Sequence, residues 1–370
     1  MTNFSSRRQS QDPGGPPVRT RPLPLIATLA AALLGCTAAD VRPDSAAGVT
    51  ERTIARTIAD RIDTVRIARA YQRASMLPRM RSLLVHWRGE LVRETYFGGT
   101  TPTTRANIKS ASKSVVSALV GIAIQQRRLR GVRQTIAELL PAETRGLEAR
   151  KRAITVEDLL TMRAGLQSTS FDQYGSWVSS RDWVRDALRR PIVAEPGGPM
   201  IYSTGSTHLL SAILTRATGL STFEFAQRNL ARPLGMSLRP WQRDPQGIYF
   251  GGNDMYMTPR DMMKFGVLYL NDGVADGRQI VPREWIDSSY VERTTSPYNG
   301  NRYGYGWWTR SAHGVDIRFA WGYGGQFIFV VPELQLVVVA TSDPNARRYW
   351  GHTDELHDIV ENEIVPAVSR

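Results

Sequence analysis

Ser110-Ala111-Ser112-Lys113 is the stretch of this sequence best able to do chemistry. A serine hydroxyl is a weak nucleophile at neutral pH and needs a base beside it to attack a carbonyl. On a helix beginning near Asn107 or Ile108, positions 110 and 113 share one face about a turn apart. The hydroxyl then lies in the first turn, where unpaired backbone N–H groups and the helix dipole favour developing negative charge. The apolar run Val115, Val116, Ala118, Leu119, Val120, Ile122, Ala123 and Ile124 is expected to bury Lys113 and lower its pKa, leaving a neutral amine to act as base. Ser-x-x-Lys also arises by chance. Here, however, only four of the 47 basic residues are Lys, and position 113 is one of them rather than an always-charged Arg.

The elements that must hold this pair follow from the pattern around it. Ile54, Ile58, Ile62 and Val65 recur at helical spacing and predict a helix over about 51–75. Leu83–His86 and Glu90–Phe97 flank Arg88-Gly89, a hairpin signal. The middle of the chain, about 130–290, reads as helical. Helices are expected at Val156–Met162, Ser180–Leu188, Thr207–Ala217, Thr222–Leu230, Pro259–Leu270 and Pro282–Tyr290. Tyr303–Thr309, Val315–Trp321, Gln326–Val331 and Leu334–Thr341 are β-branched and aromatic runs separated by turns. A helix over Thr353–Val368 closes the chain. Strands at both ends with helices between them imply one sheet assembled from both termini, with a helical subdomain inserted.

Composition bounds the rest. With 370 residues, 42% of them apolar and 22% charged, the chain can bury a large core and is not of disordered composition. Its formal charge of +13 comes from scattered Arg, with no basic run interleaved with aromatics, so no nucleic-acid partner is expected. The single cysteine, Cys36, follows Leu33-Leu34-Gly35 at the end of the mostly apolar Leu23–Leu34, with Arg7, Arg8, Arg19 and Arg21 upstream. That is the layout of a secretory signal over 1–35, too short to span a bilayer. Leu-x-Gly-Cys resembles a bacterial lipobox, which implies lipidation at Cys36, a tether over 36–50 and a membrane-anchored, exported domain over 51–370. An ordinary signal peptide is the other reading. No metal site is expected, since His352 and His357 are five apart and His86 has no partner in sequence. No cofactor is implied.

Two further stretches supply matching parts. Tyr202, in Ile201-Tyr202-Ser203-Thr204-Gly205, precedes an apolar helix, and a phenol beside a lysine can carry the serine's proton to a leaving group. Ala320-Trp321-Gly322-Tyr323-Gly324-Gly325 enters a strand, where glycines let backbone N–H groups approach an oxyanion. Either alone is weak.

In this order, Ser110-x-x-Lys113, Tyr202 and the Gly-rich strand end resemble serine hydrolases of the class C β-lactamase and penicillin-binding-protein type. Flanking stretches are similar too. They are Ile154–Met162 with Gly165-Leu166, Glu195–Gly198, Arg232–Met236 and Met257–Met262 with Phe265-Gly266. The resemblance spans about 80–345 and implies an α+β fold, with an antiparallel sheet flanked by helices plus an all-helical subdomain. It implies Ser110 as acylated nucleophile, Lys113 as its activator and Tyr202 as proton shuttle. The N–H groups of Ser110 and Tyr323, beside Gly322 and Trp321, become the oxyanion hole.

The departures bear on substrate. Thr204 stands where β-lactamases carry Asn, and Thr lacks the amide's paired donor and acceptor. Ala320-Trp321-Gly322 stands where Lys-Thr-Gly is usual, so no cation is there to hold a β-lactam carboxylate; Arg318, on the same strand face, is the candidate substitute. These differences favour the esterases and 6-aminohexanoate-dimer-hydrolase-like amidases of the same fold over β-lactamases and D-alanyl peptidases. Tyr174, Trp177 and Trp183 are candidates for a broad apolar pocket or for plain core. A non-catalytic envelope protein that binds a peptide or glycan in the same cleft is the alternative from another class.

Overall fold

Met80–Trp87 and Glu90–Tyr96 form strands β1 and β2, joined by Arg88-Gly89 with both residues at positive φ (48° and 89°), the hairpin turn that matches strand twist. The other six strands of their sheet come from the far end of the chain: β3 (Thr294–Thr295), β4 (Arg302–Tyr303), β5 (Trp308–Ala312), β6 (Val315–Gly322), β7 (Gln326–Val331) and β8 (Leu336–Ser342). They assemble one antiparallel sheet in the order β2-β1-β8-β7-β6-β5-β4-β3, closed between the two termini by β1 on β8 (Leu84 opposite Val339). The computed structural model describes residues 62–346 and 351–369, all within one compact unit.

Both faces of this sheet are covered, which is why β7 and β8 are apolar at almost every position. Leu84, Ile328, Val330, Val337 and Val339 face one core. Leu83, Val85, Phe327, Phe329 and Val338 face the other. Alternation along the strands thus assigns neighbouring residues to opposite layers.

The first core holds helix α2 (Ser112–Gln125), in which residues 112–123 are all buried. A helix apolar all round belongs inside, not on a surface. Its Gly121 admits Trp285, whose ring occupies the space a Cβ would take. The inserted helices pack around it, among them α3 (Thr204–Thr218), ended by Gly219 at φ 70°, and α4 (Pro259–Leu270), capped by Thr258. In α4, Gly266 lets the helix approach Val337 and Ile328.

The second core lies under α1 (Thr64–Ser75) and the C-terminal helical segments from His352 to Val368. Of the expected 51–75 helix, residues 51–61 lie outside the described residues and the described part is Thr64–Ser75, where the Asp63 side chain caps the helix by accepting from the backbone N–H groups of Val65 and Arg66. Its buried stripe is Ile67, Ala70, Tyr71 and Ala74, while Val65 is exposed; Ile54 and Ile58 lie outside the described residues. The closing helix is interrupted by a π-type stretch over Ile359–Ile364, ahead of Pro366, which cannot donate an N–H. The expected strand 303–309 is two strands, since Gly304-Tyr305-Gly306 turns between them. A Cβ at 304 would strike the Ser289 carbonyl, and Gly306 has φ 78°. β8 starts at 336 because Pro332–Leu334 is a short 3-10 turn followed by Gln335 in the left-handed region.

Candidate active site

Ser110 sits in a 3-10 turn, Lys109–Ala111, that leads directly into α2. The helix does not start at Asn107 or Ile108, because the chain there is held elsewhere. Ile108 N donates to the Met255 carbonyl (2.9 Å), and Asn107 Oδ1 accepts from Lys109 N (3.0 Å). Lys109 itself is left-handed (φ 51°), a conformation uncommon for a non-glycine residue. The turn places the half-buried Ser110 at the helix start, where backbone N–H groups lack intrahelical partners.

Lys113, 3% exposed, has its Nζ 3.1 Å from Ser110 Oγ, 2.8 Å from the Gly252 carbonyl and 3.3 Å from Thr204 Oγ1. No carboxylate is among these partners, so burial dominates and lowers its pKa to about 7. The Tyr202 phenol hydrogen-bonds Ser110, and its ring centre lies 5.2 Å from Lys113 Nζ. Burial pushes the phenol up to about 12. About five pKa units therefore separate the two groups, and the amine, not a phenolate, is the base present at neutral pH.

A run of hydroxyls fixes the tyrosine motif. Ser168 Oγ donates to the Tyr202 carbonyl (2.7 Å), and Thr169 Oγ1 accepts from Gly205 N (2.7 Å) and lies 3.0 Å from Ser203 Oγ. Ser170 Oγ accepts from Thr204 N (2.9 Å) and also meets Thr204 Oγ1 (2.9 Å). Thr204 is thus the first residue of α3, and its hydroxyl bridges Ser170 to Lys113. Tyr202 stacks on Trp308, which meets Trp321 edge-on.

Gly322 ends β6 directly against the nucleophile turn. A Cβ there would lie 2.1 Å from the Ile108 carbonyl, so only glycine permits this approach. Tyr323, 59% exposed, follows at the mouth of the site.

The sequence does not bring every candidate here. Arg318 is four residues from Gly322 along β6, and its guanidinium pairs with Glu333 (3.2 Å) and lies over the Tyr290 ring. It is not brought to the serine. Trp177 and Trp183 are buried around His208 and Phe250, as core and not as pocket wall. The half-buried Tyr174 accepts from Asn253 Nδ2 (2.6 Å). Cys36 lies outside the described residues.

Other participants carried no sequence signal. The Gly252 carbonyl that meets Lys113 belongs to a Gly251-Gly252 turn wedged between α3 and the lysine. Gly251 N donates to His208 Nδ1 (3.3 Å), which leaves Nε2–H to donate to Asp244 (3.0 Å). This His–Asp pair is fully buried. On the other side, Asp254 accepts from Asn107 Nδ2 (2.6 Å) and lies 3.7 Å from Lys109 Nζ. Among the described residues no His, Cys, Asp and Glu cluster has the makings of a metal site.

A buried amine touching a serine at a helix start, a phenol beside the same hydroxyl and a glycine-opened strand end are the parts a serine hydrolase would use, and they sit on a β-lactamase-type fold. Residues 80–349 match the beta-lactamase family, and the chain belongs to it. It is 25% identical, over 71% of this chain and 73% of the relative, to a 6-aminohexanoate-dimer hydrolase of Paenarthrobacter ureafaciens. Similar solved structures include EstCE1, a hydrolase with promiscuous acyltransferase activity (TM-score 0.67, 19% identity, 82% of this chain and 100% of that one). The octameric penicillin-binding protein homologue from Pyrococcus abyssi is another (TM-score 0.63, 19% identity, 86% and 77%). The expected mixed α/β fold, with its antiparallel sheet and flanking helices, is the one found.

Proposed function

We propose that this protein hydrolyses an ester or amide through a Ser110 acyl-enzyme. The observation that carries the reading is Lys113 Nζ, buried and 3.1 Å from the serine oxygen, with its pKa lowered to about 7. Neutral Lys113 takes the Ser110 proton as Oγ attacks the carbonyl carbon. The oxyanion lies between the N–H groups of Ser110 and Tyr323, a kind of contact worth about 3–4 kcal/mol per donor. Collapse breaks the C–O or C–N bond, and the proton passes through Tyr202 to the leaving heteroatom. Water, deprotonated along the same path, then attacks the acyl carbon and releases Ser110.

Small esters or amides rank ahead of D-alanyl peptides and β-lactams, because Arg318 is engaged by Glu333 and no other cation stands in its strand position. We further propose export and lipid attachment at Cys36, checked by membrane fractionation of the full chain against Cys36→Ala.

The test of the catalytic reading is intact-protein mass after exposure of residues 37–370 to a fluorophosphonate. One adduct on the wild type and none on Ser110→Ala supports it. No adduct on either folded protein favours a non-catalytic binding protein instead.

A further inference from the structure

Two exposed aromatic rings have no part in the scheme above: Phe171 stands against Tyr202, and Tyr298 stands against Phe171. Phe171 is 60% exposed and Tyr298 is 58% exposed. They come from loops far apart in the chain, yet their ring centres are 5.3 Å apart, and Phe171 lies 6.1 Å from the Tyr202 ring. Phe171 also has φ 54°, a left-handed conformation that a bulky residue rarely adopts. The fold enforces it: Ser170, immediately before, is tied to Thr204 through its hydroxyl. Tyr298 is presented by a closed turn in which its N–H donates to Ser296 Oγ (3.2 Å) and Gly300 N donates to the Ser296 carbonyl (3.0 Å). Neither ring gains burial from its position, and one is held in a disfavoured backbone conformation to reach it. Strained, solvent-facing apolar groups converging on a reacting centre mark a ligand surface.

Their position also says which part of a substrate they meet. Tyr202 delivers the proton to the leaving heteroatom, so the leaving group must pass over the tyrosine's outer side. We propose that Phe171 and Tyr298 clamp the alcohol or amine portion of the substrate, which carries an uncharged aliphatic or aromatic body. This rests on the Ser110 acyl-enzyme. The chemistry is that already given: Oγ–C forms, C–O or C–N breaks, and the departing group takes its proton beside these rings.

The experiment compares kcat/KM for ethyl, butyl and hexyl acetate, whose alcohols differ little in acidity, so the ratio reads binding. A second series, ethyl acetate, butyrate and hexanoate, varies the acyl side. Hexyl over ethyl acetate is expected to be about tenfold in the wild type, falling below about threefold in Phe171→Ala and in Tyr298→Ala. The acyl-side ratio does not follow. Phe171→Gly, which fits the left-handed backbone without strain, serves as a second variant should Phe171→Ala fold poorly. An alcohol-side ratio unchanged by truncation, or a drop in the acyl-side ratio instead, overturns the clamp. So does an advantage of acetylcholine over its neutral isostere 3,3-dimethylbutyl acetate that disappears in Phe171→Ala and Tyr298→Ala, since leaving-group acidity is common to all variants and a cation held over the rings contradicts an uncharged body. Fluorophosphonate labelling runs alongside on every variant. A labelled wild type with these failures leaves the acyl-enzyme standing and removes only the clamp, whereas an unlabelled wild type overturns both.

Discussion

Lys113 sets two opposed expectations at the scale of a single residue. Its pKa, lowered to about 7 by burial, makes the fraction of neutral amine rise through neutrality. Acylation by fluorophosphonate should therefore climb with pH to a plateau, with a midpoint near 7, and a flat profile from pH 5 to 9 would remove lysine from the base role. Lys113→Arg, which keeps the charge and cannot deprotonate, should lose about 10²–10⁴-fold in acylation rate. The same burial works against stability. The unfolded chain binds this proton up to pH about 10.5 and the folded chain only up to about 7, so stability rises with pH across that window. Below pH 7 the full cost applies, on the order of 3–5 kcal/mol less whatever its hydrogen bonds return. Lys113→Met should accordingly melt higher than wild type at pH 6, and the gain should shrink by pH 9.5. A lower Tm at pH 6 would show that the lysine's hydrogen bonds outweigh its burial.

The elements around that lysine were only partly legible. Ser110, Lys113 and Tyr202 were readable because the serine and lysine stand three residues apart at the opening of an apolar run and the tyrosine motif precedes an apolar helix. The 3-10 entry was not, because residues 107–109 are held by Met255, which accepts from Ile108 N, and by Asp254, which pairs with Asn107 and Lys109, partners up to 147 residues away. Arg318 was misplaced for a related reason. Four residues of strand, at about 3.3 Å each, carry Arg318 away from Gly322, and Glu333, which no local pattern announces, claims the guanidinium. His208 looked idle in sequence, since nothing local announces that Asp244 and Gly251 N will meet its two nitrogens. Asp244, His208, Gly251-Gly252 and Lys113 form a continuous chain to the serine, which makes His208 a positioning residue. His208→Ala opens space for water beside the Gly251-Gly252 turn, so the pH midpoint of acylation should rise and the plateau rate fall about tenfold. His208→Asn, whose amide oxygen can replace Nδ1 as acceptor, should recover much of both. A merely structural histidine would lower Tm while leaving the midpoint in place. Gly322→Ala is a sharper test of the strand end: its Cβ meets the Ile108 carbonyl at 2.1 Å, so labelling should fall by at least about 10²-fold even where circular dichroism shows a folded protein.

At the scale of the molecule, the sheet divides labour between its two covered faces. Lys113 rides on α2 and Ser110 on the 3-10 turn that leads into it, on the side of the core formed with the inserted helices. The opposite core, under α1 and the C-terminal helices, holds Phe327, Phe329, Val338 and Ile359, none of them a hydrogen-bond partner of Lys113, and it meets the site where its Trp308 stacks on Tyr202. It nonetheless closes the sheet, because β1 reaches β8 only if both terminal segments are docked. Truncation in this second core, away from Trp308 and Tyr202, should therefore cost stability without retuning the site. Ile359→Ala, at a fully buried position, is expected to lower unfolding free energy by about 2–5 kcal/mol. Its fluorophosphonate rate per folded molecule and its pH midpoint should match wild type, measured well below the shifted Tm. A moved midpoint would mean that strain crosses the sheet from one core to the other. In that case, the low lysine pKa belongs to the packing of the whole sheet and not to the walls of one helix.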